Sequence, residues 1–272
     1  MKPRILAWIC LCDYERWSAT HALTALAAVE KSGFDLVAFA HVQTRPWPWD
    51  ELVDLAQDPR LPLYGGYWWR DDIATGPEQH RRLAGITHSR NVALDCARRF
   101  RYDGLWFVDS DVLVPPDALA RLWALDRPLT SGVFHSADES RIPYVFMRDR
   151  ARAEWPAADP SDDYDCHFVR WLPDVGWIDA DFTGNGCLLW RGAALASDLT
   201  YRHGWRDQDR RYWAEDPYTL LDALDRGLGP VRVDCGLRCW HTHPGGMAYG
   251  QHEAVPTERI LKAPRCGEVS VA

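Results

Sequence analysis

Short apolar runs alternate with stretches of helical periodicity along the first part of the chain. Residues 5–12 form an apolar run, residues 17–31 place apolar side chains on one face of a helix that stops at Gly33, and residues 35–42 form a second apolar run. A glycine just past the last periodic residue is a common helix stop. Because strands joined by one helix pair in parallel, this β–α–β opening predicts an α/β fold built on a parallel sheet.

The same periodicity predicts further helices and strands along the rest of the chain. The central predicted strand is the run at residues 105–108, which is short, apolar and rich in β-favouring residues. Helices are predicted from Asp117 onward and at residues 80–100 and 213–228, and strands at 129–135, at 144–147, after a glycine-rich turn within 179–190, and, as an edge strand, at 229–233.

Three stretches depart from this pattern. Residues 43–78 contain many Trp, Pro and Gly residues and predict a loop-rich excursion with a short helix at 50–57. Residues 149–165 are polar and rich in Pro and Asp, which predicts an exposed loop. After Gly245 the periodicity is lost, so we expect a loosely structured C-terminal tail that includes residues 251–272.

The central run ends in Asp109-Ser110-Asp111. Two carboxylates at the end of a buried strand are costly to desolvate unless a cation lies between them. The carboxyl end of a strand in an open α/β sheet is also where ligands bind. The motif therefore indicates a hard-cation site for Mg²⁺ or Mn²⁺ with Asp109 and Asp111 as oxygen ligands. A turn in which both acids cap the following helix explains the same residues, so the motif needs support from elsewhere in the chain.

Composition narrows the function without defining it. The chain has 272 residues, 26% of them charged, and a net charge of −8, which argues mildly against a nucleic-acid binder that relies on bulk charge. It contains no apolar stretch near the ~18 residues that a transmembrane helix requires. The eight Cys form no CxxC pair and show no zinc spacing, so a reducing, cytoplasmic setting in a bacterial or phage-infected cell is the expectation.

Five short motifs follow one another along the chain: Ser89-Arg90-Asn91, Asp109-Ser110-Asp111, Gly184-Asn185-Gly186, Glu215-Asp216 and His241. In this order they resemble the GT-A fold glycosyltransferases, and among these the family-2-like bacterial and phage enzymes, over about residues 5–245. The resemblance implies a Rossmann-like, mostly parallel sheet flanked by helices, in a single domain with acceptor-side insertions. It implies a nucleotide-sugar half at about 1–125 and an acceptor half at about 126–250.

The resemblance also implies a nucleotide-sugar donor, with a UDP-sugar favoured over GDP-mannose, and Mn²⁺ or Mg²⁺. Asp109, Asp111 and His241 would hold the metal, and Ser110 and Arg90 would lie with them at the nucleotide. The chemistry agrees, because a departing diphosphate gathers negative charge that a bound metal neutralises. His243 is an alternative ligand to His241, since residues two apart on an extended segment point to the same side.

On the acceptor side the resemblance makes Asp216 the general base of an inverting transfer, with Glu215 beside it for catalysis or for binding acceptor hydroxyls. A base is needed because the attacking hydroxyl must lose its proton. Capping of a helix explains both acids equally, and a retaining enzyme follows if Asp216 is not the base. The remaining acceptor candidates begin with Gly184 and Gly186, which would let the backbone approach a ligand, and with Asn185 between them. The side chains of Asp181 and Trp177, which precede this loop, complete the set.

Several other functions compete with this one. The acceptor is a saccharide or small molecule by default, and a hydroxymethylated base in phage DNA is the alternative. Asp109 and Asp111 also match the two acids of an aspartate-nucleophile phosphatase, and the many Trp residues suit a non-catalytic carbohydrate-binding protein. A sugar-phosphate nucleotidyltransferase would need a glycine-rich loop after the first strand, where the sequence has Asp13 and Glu15 instead. The sequence leaves the donor sugar and the oligomeric state open.

Overall fold

The structure is a computed structural model that describes residues 1–11, 16–42, 63–67, 78–136, 142–148, 167–169, 172–207, 211–250 and 253–262. The helix expected at 50–57, most of the excursion at 43–78 and the loop expected at 149–165 lie outside these residues. No helix within the described ranges is both long and apolar enough to cross a membrane.

The described chain contains strands and helices in mixed order. The strands are β1 Arg4–Leu11, β2 Asp35–Val42, β3 Leu63–Tyr67, β4 Gly104–Val108, β5 Val112–Leu113, β6 Leu129–Val133, β7 Val145–Met147, β8 His167–Phe168, β9 Trp177–Ala180, β10 Phe182–Thr183, β11 Cys187–Arg191, β12 Gly204–Arg206, β13 Arg211–Trp213, β14 Val231–Arg238, β15 Trp240–His243, β16 Met247–Tyr249 and β17 Ala254–Pro256. The helices are α1 Arg16–Ala27, α2 Glu78–Arg99, α3 Ala118–Ala124, α4 Gly192–Ala196, α5 Glu215–Asp225 and α6 Thr257–Lys262.

Eight of the strands form one sheet in the order β3-β2-β1-β4-β11-β6-β14-β9. The neighbours in β3-β2-β1-β4 are parallel to one another, and β14 is parallel to β6. Strands β11 and β9 run against their neighbours. The expected α/β class with a mostly parallel sheet flanked by helices is therefore confirmed.

Helices cover both faces of this sheet, which explains why β1 after Arg4 is buried at every position. In β1, Leu6 and Trp8 pack with residues of α2, α4 and α5, whereas Ile5 and Ala7 pack with residues of α1 and α3. All of β4 is buried in the same way. The sheet is the middle layer of three. Pairing within it holds the ends of the strands β4, β6 and β14 in fixed positions.

Two pairings bring distant segments to the carboxyl edge of β4. Because β11 is antiparallel to β4, with Cys187 opposite Val108, the glycine loop before β11 lies next to the residues that follow β4. Strand β5 pairs with β15 in a small second sheet of the order β17-β16-β15-β5, which places His241 opposite Val112. The backbone N–H of Thr242 also donates to the carbonyl of Asp111 at 2.7 Å. Segments that are far apart in sequence thus meet at one edge of the sheet.

Two expectations about the C-terminal region are wrong. The edge strand expected at 229–233 is β14, which begins at Val231 and lies inside the sheet, because β9 adds itself as the edge. The tail expected after Gly245 contains β16, β17 and α6. A tight turn causes this: the Gly246 N–H donates to the His243 carbonyl at 2.9 Å, and its φ of 74° suits glycine, so β15 folds back onto β16.

Asp234 holds an irregular step in β14, where the register with β6 shifts between Val233 and Arg238. Its carboxylate accepts two hydrogen bonds from the Arg121 guanidinium of α3, at 2.8 and 2.6 Å. It also accepts the backbone N–H groups of Gly236 and Leu237 at 3.0 and 3.2 Å. These four bonds tie α3 to the segment that leads into β15, so Asp234 supports the edge of the sheet where His241 lies.

Replacing Asp234 with alanine is expected to lower the free energy of unfolding by about 2 kcal/mol, because the half-buried guanidinium of Arg121 and two backbone donors lose their acceptor. Urea denaturation followed by fluorescence measures this. Asp174→Ala is the matched control, since Asp174 also pairs with an arginine, Arg238 of β14, but its side chain is 82% exposed, and its expected effect is below about 0.5 kcal/mol. Equal effects of the two substitutions would contradict the role given to Asp234.

Candidate functional site

The motif Ser89-Arg90-Asn91 fastens α2 to three different parts of the molecule. Ser89 Oγ accepts the Trp8 Nε1–H of β1 at 3.0 Å and lies 2.8 Å from His41 Nδ1 of β2. Asn91 donates to the Tyr201 carbonyl at 2.8 Å and accepts the Tyr201 N–H at 2.7 Å. Asn91 therefore binds backbone that is 110 residues away in the sequence.

Arg90, between them, points into a cluster of carboxylates. Its Nη1 donates to Glu215 Oε1 at 2.9 Å, and its Nη2 donates to Asp109 Oδ1 at 3.1 Å. Nη1 also contacts Asp216 Oδ1. One guanidinium, only 3% exposed, thus joins the acid after β4 to the two acids that open α5.

The charges in this cluster depend on one another. Burial by itself would lower the pKa of Arg90, but the charges of Asp109 and Glu215 raise it above its ordinary value, so Arg90 stays protonated. Burial raises the pKa of Asp109, and Asp111 adds to this effect, while Arg90 opposes it. Without Arg90 the buried carboxylate of Glu215 would lose its charge partner, which is destabilising.

This arrangement differs from the expected contact between Arg90 and a nucleotide phosphate. The guanidinium is buried, and its Nη1 and Nη2 are directed at protein carboxylates. The sequence could not show this, because the partners of Arg90 are up to 126 residues away. Arg90 instead fixes the positions of Asp109, Glu215 and Asp216 relative to one another.

Asn185, in the glycine loop, is bound to Asp216. Its backbone N–H donates to Asp216 Oδ2 at 3.1 Å, and its side-chain Nδ2 donates to Asp216 Oδ1. Its own Oδ1 accepts the Tyr201 hydroxyl at 3.0 Å. Asn185 is fully buried. Its hydrogen bonds connect this candidate acceptor-binding residue to the candidate base Asp216. Tyr201 was not anticipated, because it lies in an irregular segment with no recognisable motif.

Asp111 and His241 form a second pair at the same edge of the sheet. His241 Nε2 lies 3.0 Å from Asp111 Oδ2, and His241 Nδ1 lies 2.7 Å from the carbonyl oxygen of His135. Since a carbonyl only accepts, Nδ1 carries a proton and Nε2 is directed at Asp111. Burial by itself lowers the pKa of His241, but the hydrogen bond and charge of Asp111 raise it above its ordinary value.

This pair fits two neighbouring ligands of one divalent ion. Adjacent ligands of an octahedral ion with bonds of about 2.1 Å lie about 3 Å apart, as these two atoms do. Within the described parts of the chain no group of three or more His, Cys, Asp and Glu side chains is arranged around a common ion. Asp109 is turned toward Arg90, so of the three expected ligands only Asp111 and His241 lie where they would share an ion.

The alternative ligand His243 lies elsewhere. It is exposed, its ring is edge-on to Tyr249 with the centroids 5.9 Å apart, and its Nδ1 accepts the Gly245 N–H at 3.3 Å. His241, in contrast, is enclosed by the rings of Phe134 and Tyr144, with centroids 6.0 and 6.1 Å away. The structure therefore brings His241, and not His243, to Asp111.

The two glycines of the loop are explained by packing. A Cβ on Gly184 would lie 2.7 Å from Phe134 Cζ, and a Cβ on Gly186 would lie 2.8 Å from the same atom and 2.9 Å from Val112 Cγ2. We expected these glycines to let a ligand approach the backbone, whereas the structure shows the Phe134 ring against them. The Gly186 carbonyl also accepts the Asp109 N–H at 3.3 Å, which ties the loop to the end of β4.

The structure gives the last three candidates other surroundings. Ser110 is buried, and Asp181 is buried and accepts the Arg148 N–H at 2.7 Å. Trp177 lies on β9, four strands from β4 and so about 19 Å away. It is 53% exposed, with the guanidinium of Arg232 3.6 Å from its ring centroid. Trp177 is not brought together with the Arg90 cluster or the Asp111–His241 pair.

No protein-family model and no curated protein matches this sequence. Solved structures are similar to it in fold. Over 93% of each chain it superposes on A197 from STIV with a TM-score of 0.50 and 13% identity. It also resembles residues 1–349 of S. aureus TarS in complex with UDP-GlcNAc, with a TM-score of 0.50, 15% identity, and 86% of this chain and 56% of that chain covered.

A third similar structure is the mannosyltransferase PcManGT from Pyrobaculum calidifontis in complex with GDP-Man and Mn²⁺. The TM-score is 0.52 at 14% identity, with 86% of this chain and 57% of that chain covered. The chain thus spans little more than half of PcManGT and of the TarS fragment. Likeness at this identity concerns the fold alone, and the fold is that of the GT-A glycosyltransferases.

Gly186→Ala is expected to lower the free energy of unfolding of the ligand-free protein by about 1–3 kcal/mol, because the added methyl group forces Phe134 and Val112 apart. Adding Phe134→Leu should recover part of that loss, since the shorter side chain makes room. Gly33→Ala is the control, because a Cβ there meets nothing within 4 Å. Urea denaturation distinguishes the cases, and a Gly186→Ala protein as stable as the wild type would contradict the packing explanation.

Proposed function

We propose that this protein is a divalent-metal-dependent glycosyltransferase that moves a sugar from a nucleotide-sugar donor to a hydroxyl acceptor. One observation carries the proposal: Asp111 and His241, which are spaced as two ligands of one metal ion, lie at the same edge of a GT-A sheet as the carboxylates that pair with Arg90. The first group suits a diphosphate with its ion, and the second suits an acceptor hydroxyl.

Asp111 Oδ2 and His241 Nε2 would hold Mn²⁺ or Mg²⁺. When bound, the ion supplies positive charge for the departing diphosphate. The hydrogen bond from His241 Nδ1–H to the His135 carbonyl holds the imidazole in the orientation and tautomer that a ligand needs. Asp109 gives one oxygen to Arg90, and its side chain is still 31% exposed, so it can meet a ribose hydroxyl or a metal-bound water.

Asp216 would be the general base. A carboxylate offers roughly four acceptor positions. Arg90 and Asn185 Nδ2 occupy Oδ1, and the Asn185 N–H occupies one position of Oδ2. One position remains on Oδ2, in a side chain that is 19% exposed. That position can receive the proton of an attacking hydroxyl, which is what an inverting transfer requires.

Glu215 would bind the acceptor beside this base. Its Oε1 accepts from Arg90, and its Oε2 is buried without a hydrogen-bond partner in the described part of the molecule. A buried carboxylate oxygen without a donor is costly, and an acceptor hydroxyl would satisfy it. A carbohydrate-binding protein needs no general base beside the bound hydroxyl, and the nucleophile of an aspartate-nucleophile phosphatase would be Asp109, which is paired with Arg90, so we favour the transferase.

We propose a UDP-sugar as donor and a saccharide or small molecule as acceptor, with residues 1–125 forming the donor half and 126–250 the acceptor half. The net charge of −8 disfavours an acceptor carried by DNA, because a phosphate backbone is attracted by basic surfaces.

Purified protein incubated with UDP- and GDP-sugars and Mn²⁺ should slowly release a nucleoside diphosphate from one donor. EDTA, Asp111→Ala and His241→Ala should each reduce the release by about 100-fold or more, because the charge on the leaving group is no longer neutralised. Asp117→Ala is the control, since this acid lies only six residues further along the chain than Asp111, after β5, and its side chain is 52% exposed. Coupled assay of the diphosphate gives the rates.

Two results together would contradict the proposal. One is the absence of release from every donor tested. The other is the absence of a thermal shift when UDP or GDP is added with Mn²⁺, because a bound ligand stabilises the folded state.

Asp216→Asn should lower kcat by about 10²–10⁴-fold and leave the donor KM unchanged, because only proton transfer to the base is lost. Glu215→Gln is the matched variant and should raise the acceptor KM more than it lowers kcat. Proton NMR of the product reports its anomeric configuration, which should be inverted relative to the donor. A retained configuration, or an Asp216→Asn protein with wild-type kcat, would exclude Asp216 as the base.

A further inference from the structure

Resting on the proposed function, we propose that Tyr201 is a positioning residue that acts through Asn185 on the base Asp216. The Tyr201 hydroxyl donates to Asn185 Oδ1 at 3.0 Å, and Asn185 Nδ2 donates to Asp216 Oδ1. The three side chains form a directed chain of hydrogen bonds. Tyr201 itself does not contact the atoms that would react.

The direction of the chain follows from what each group can donate. A side-chain amide has a donor end and an acceptor end, and nothing in its shape decides which end faces a neighbour. Asp216 as a carboxylate only accepts, so Asn185 must present Nδ2 to it and Oδ1 to a donor. The Tyr201 hydroxyl is that donor, and burial raises the pKa of Tyr201 above its ordinary value, so the hydroxyl keeps its proton.

The place of the hydroxyl is fixed by the surroundings of Tyr201. Both backbone polar groups of Tyr201 are bound by Asn91 of α2, at 2.7 and 2.8 Å. Its ring is edge-on to Phe107, with the centroids 5.4 Å apart, and 5.7 Å from Trp190. The ring is 2% exposed. The Tyr201 hydroxyl, held on a rigid buried ring, therefore helps to fix the orientation of the Asn185 side-chain amide.

The ring also lies beside the cluster that holds Asp216 from the other side. The guanidinium carbon of Arg90 is 5.6 Å from the Tyr201 ring centroid. Arg90 and Asn91 are consecutive on α2, so one turn of helix positions both Asp216 through Arg90 and Tyr201 through its backbone. Asp216 is thereby held from two directions, and the open acceptor position on Oδ2 keeps a constant orientation.

Removing the Tyr201 hydroxyl takes away one of the two groups that orient the Asn185 amide. In Tyr201→Phe the ring remains, but Asn185 Oδ1 is left buried without its donor, and only Asp216 still orients the amide. An amide held only at its Nδ2 end can shift, and Asp216 Oδ2 then loses its constant orientation. Proton transfer then slows, while Asp111 and His241 are unaffected because they belong to the other group of residues.

The kinetic test compares Tyr201→Phe with the wild type. We expect kcat to fall about 10-fold with unchanged donor KM and unchanged Mn²⁺ affinity, the latter measured by electron paramagnetic resonance of free Mn²⁺. In the Asp216→Asn background the same substitution should have no further effect on kcat. Tyr218→Phe is the control, because that hydroxyl lies 3.5 Å from the Trp205 carbonyl at the exposed surface. A Tyr201→Phe effect that persists without Asp216, or wild-type kcat, would overturn the proposal.

A second arm does not depend on activity. The unfolding free energies of Tyr201→Phe, Asp216→Asn and the double variant form a thermodynamic cycle, and residues that share a hydrogen-bond chain are non-additive in it. We expect non-additivity, and additive effects would overturn the chain from Tyr201 to Asp216. If the wild-type protein transfers no sugar from any donor, the proposed function fails, while this cycle still decides whether Tyr201 positions Asp216.

Discussion

The rest of the site depends on the ion pairs of the Arg90 guanidinium with three carboxylates. Three carboxylates from the end of β4 and the start of α5 converge on one buried positive charge. Charges of one sign do not collect in a protein interior unless a partner compensates for them. Arg90 provides the compensation and thereby sets how far Asp109 lies from Glu215 and Asp216.

Topology explains how these groups reach one another. The parallel strands end at a common edge, and the reversed strand β11 starts there, so the loop before it lies next to Asp109. The pairing of β5 with β15 does the same for His241. The Asp111–His241 pair and the carboxylates around Arg90 are thus two separate groups at one end of a three-layer fold. Each group is held by its own long-range contacts.

Local signals allowed much of this to be predicted. The strands β1 and β2, the acids after β4 and the acidic start of α5 follow from apolar runs and helix signals within a few residues. The partners of Arg90 and the role of Phe134 against Gly184 and Gly186 did not follow, because they depend on contacts between segments far apart in sequence. The misplaced edge strand has the same origin, since only the pairing with β9 makes β14 internal.

The most direct test of the account is the position of the metal ion. Crystals grown with UDP and Mn²⁺ would give an anomalous difference map at the manganese absorption edge. We expect one peak within bonding distance of Asp111 Oδ2 and His241 Nε2 and in contact with the diphosphate. A peak bound to other side chains, or UDP bound at this edge with no peak beside Asp111, would contradict it.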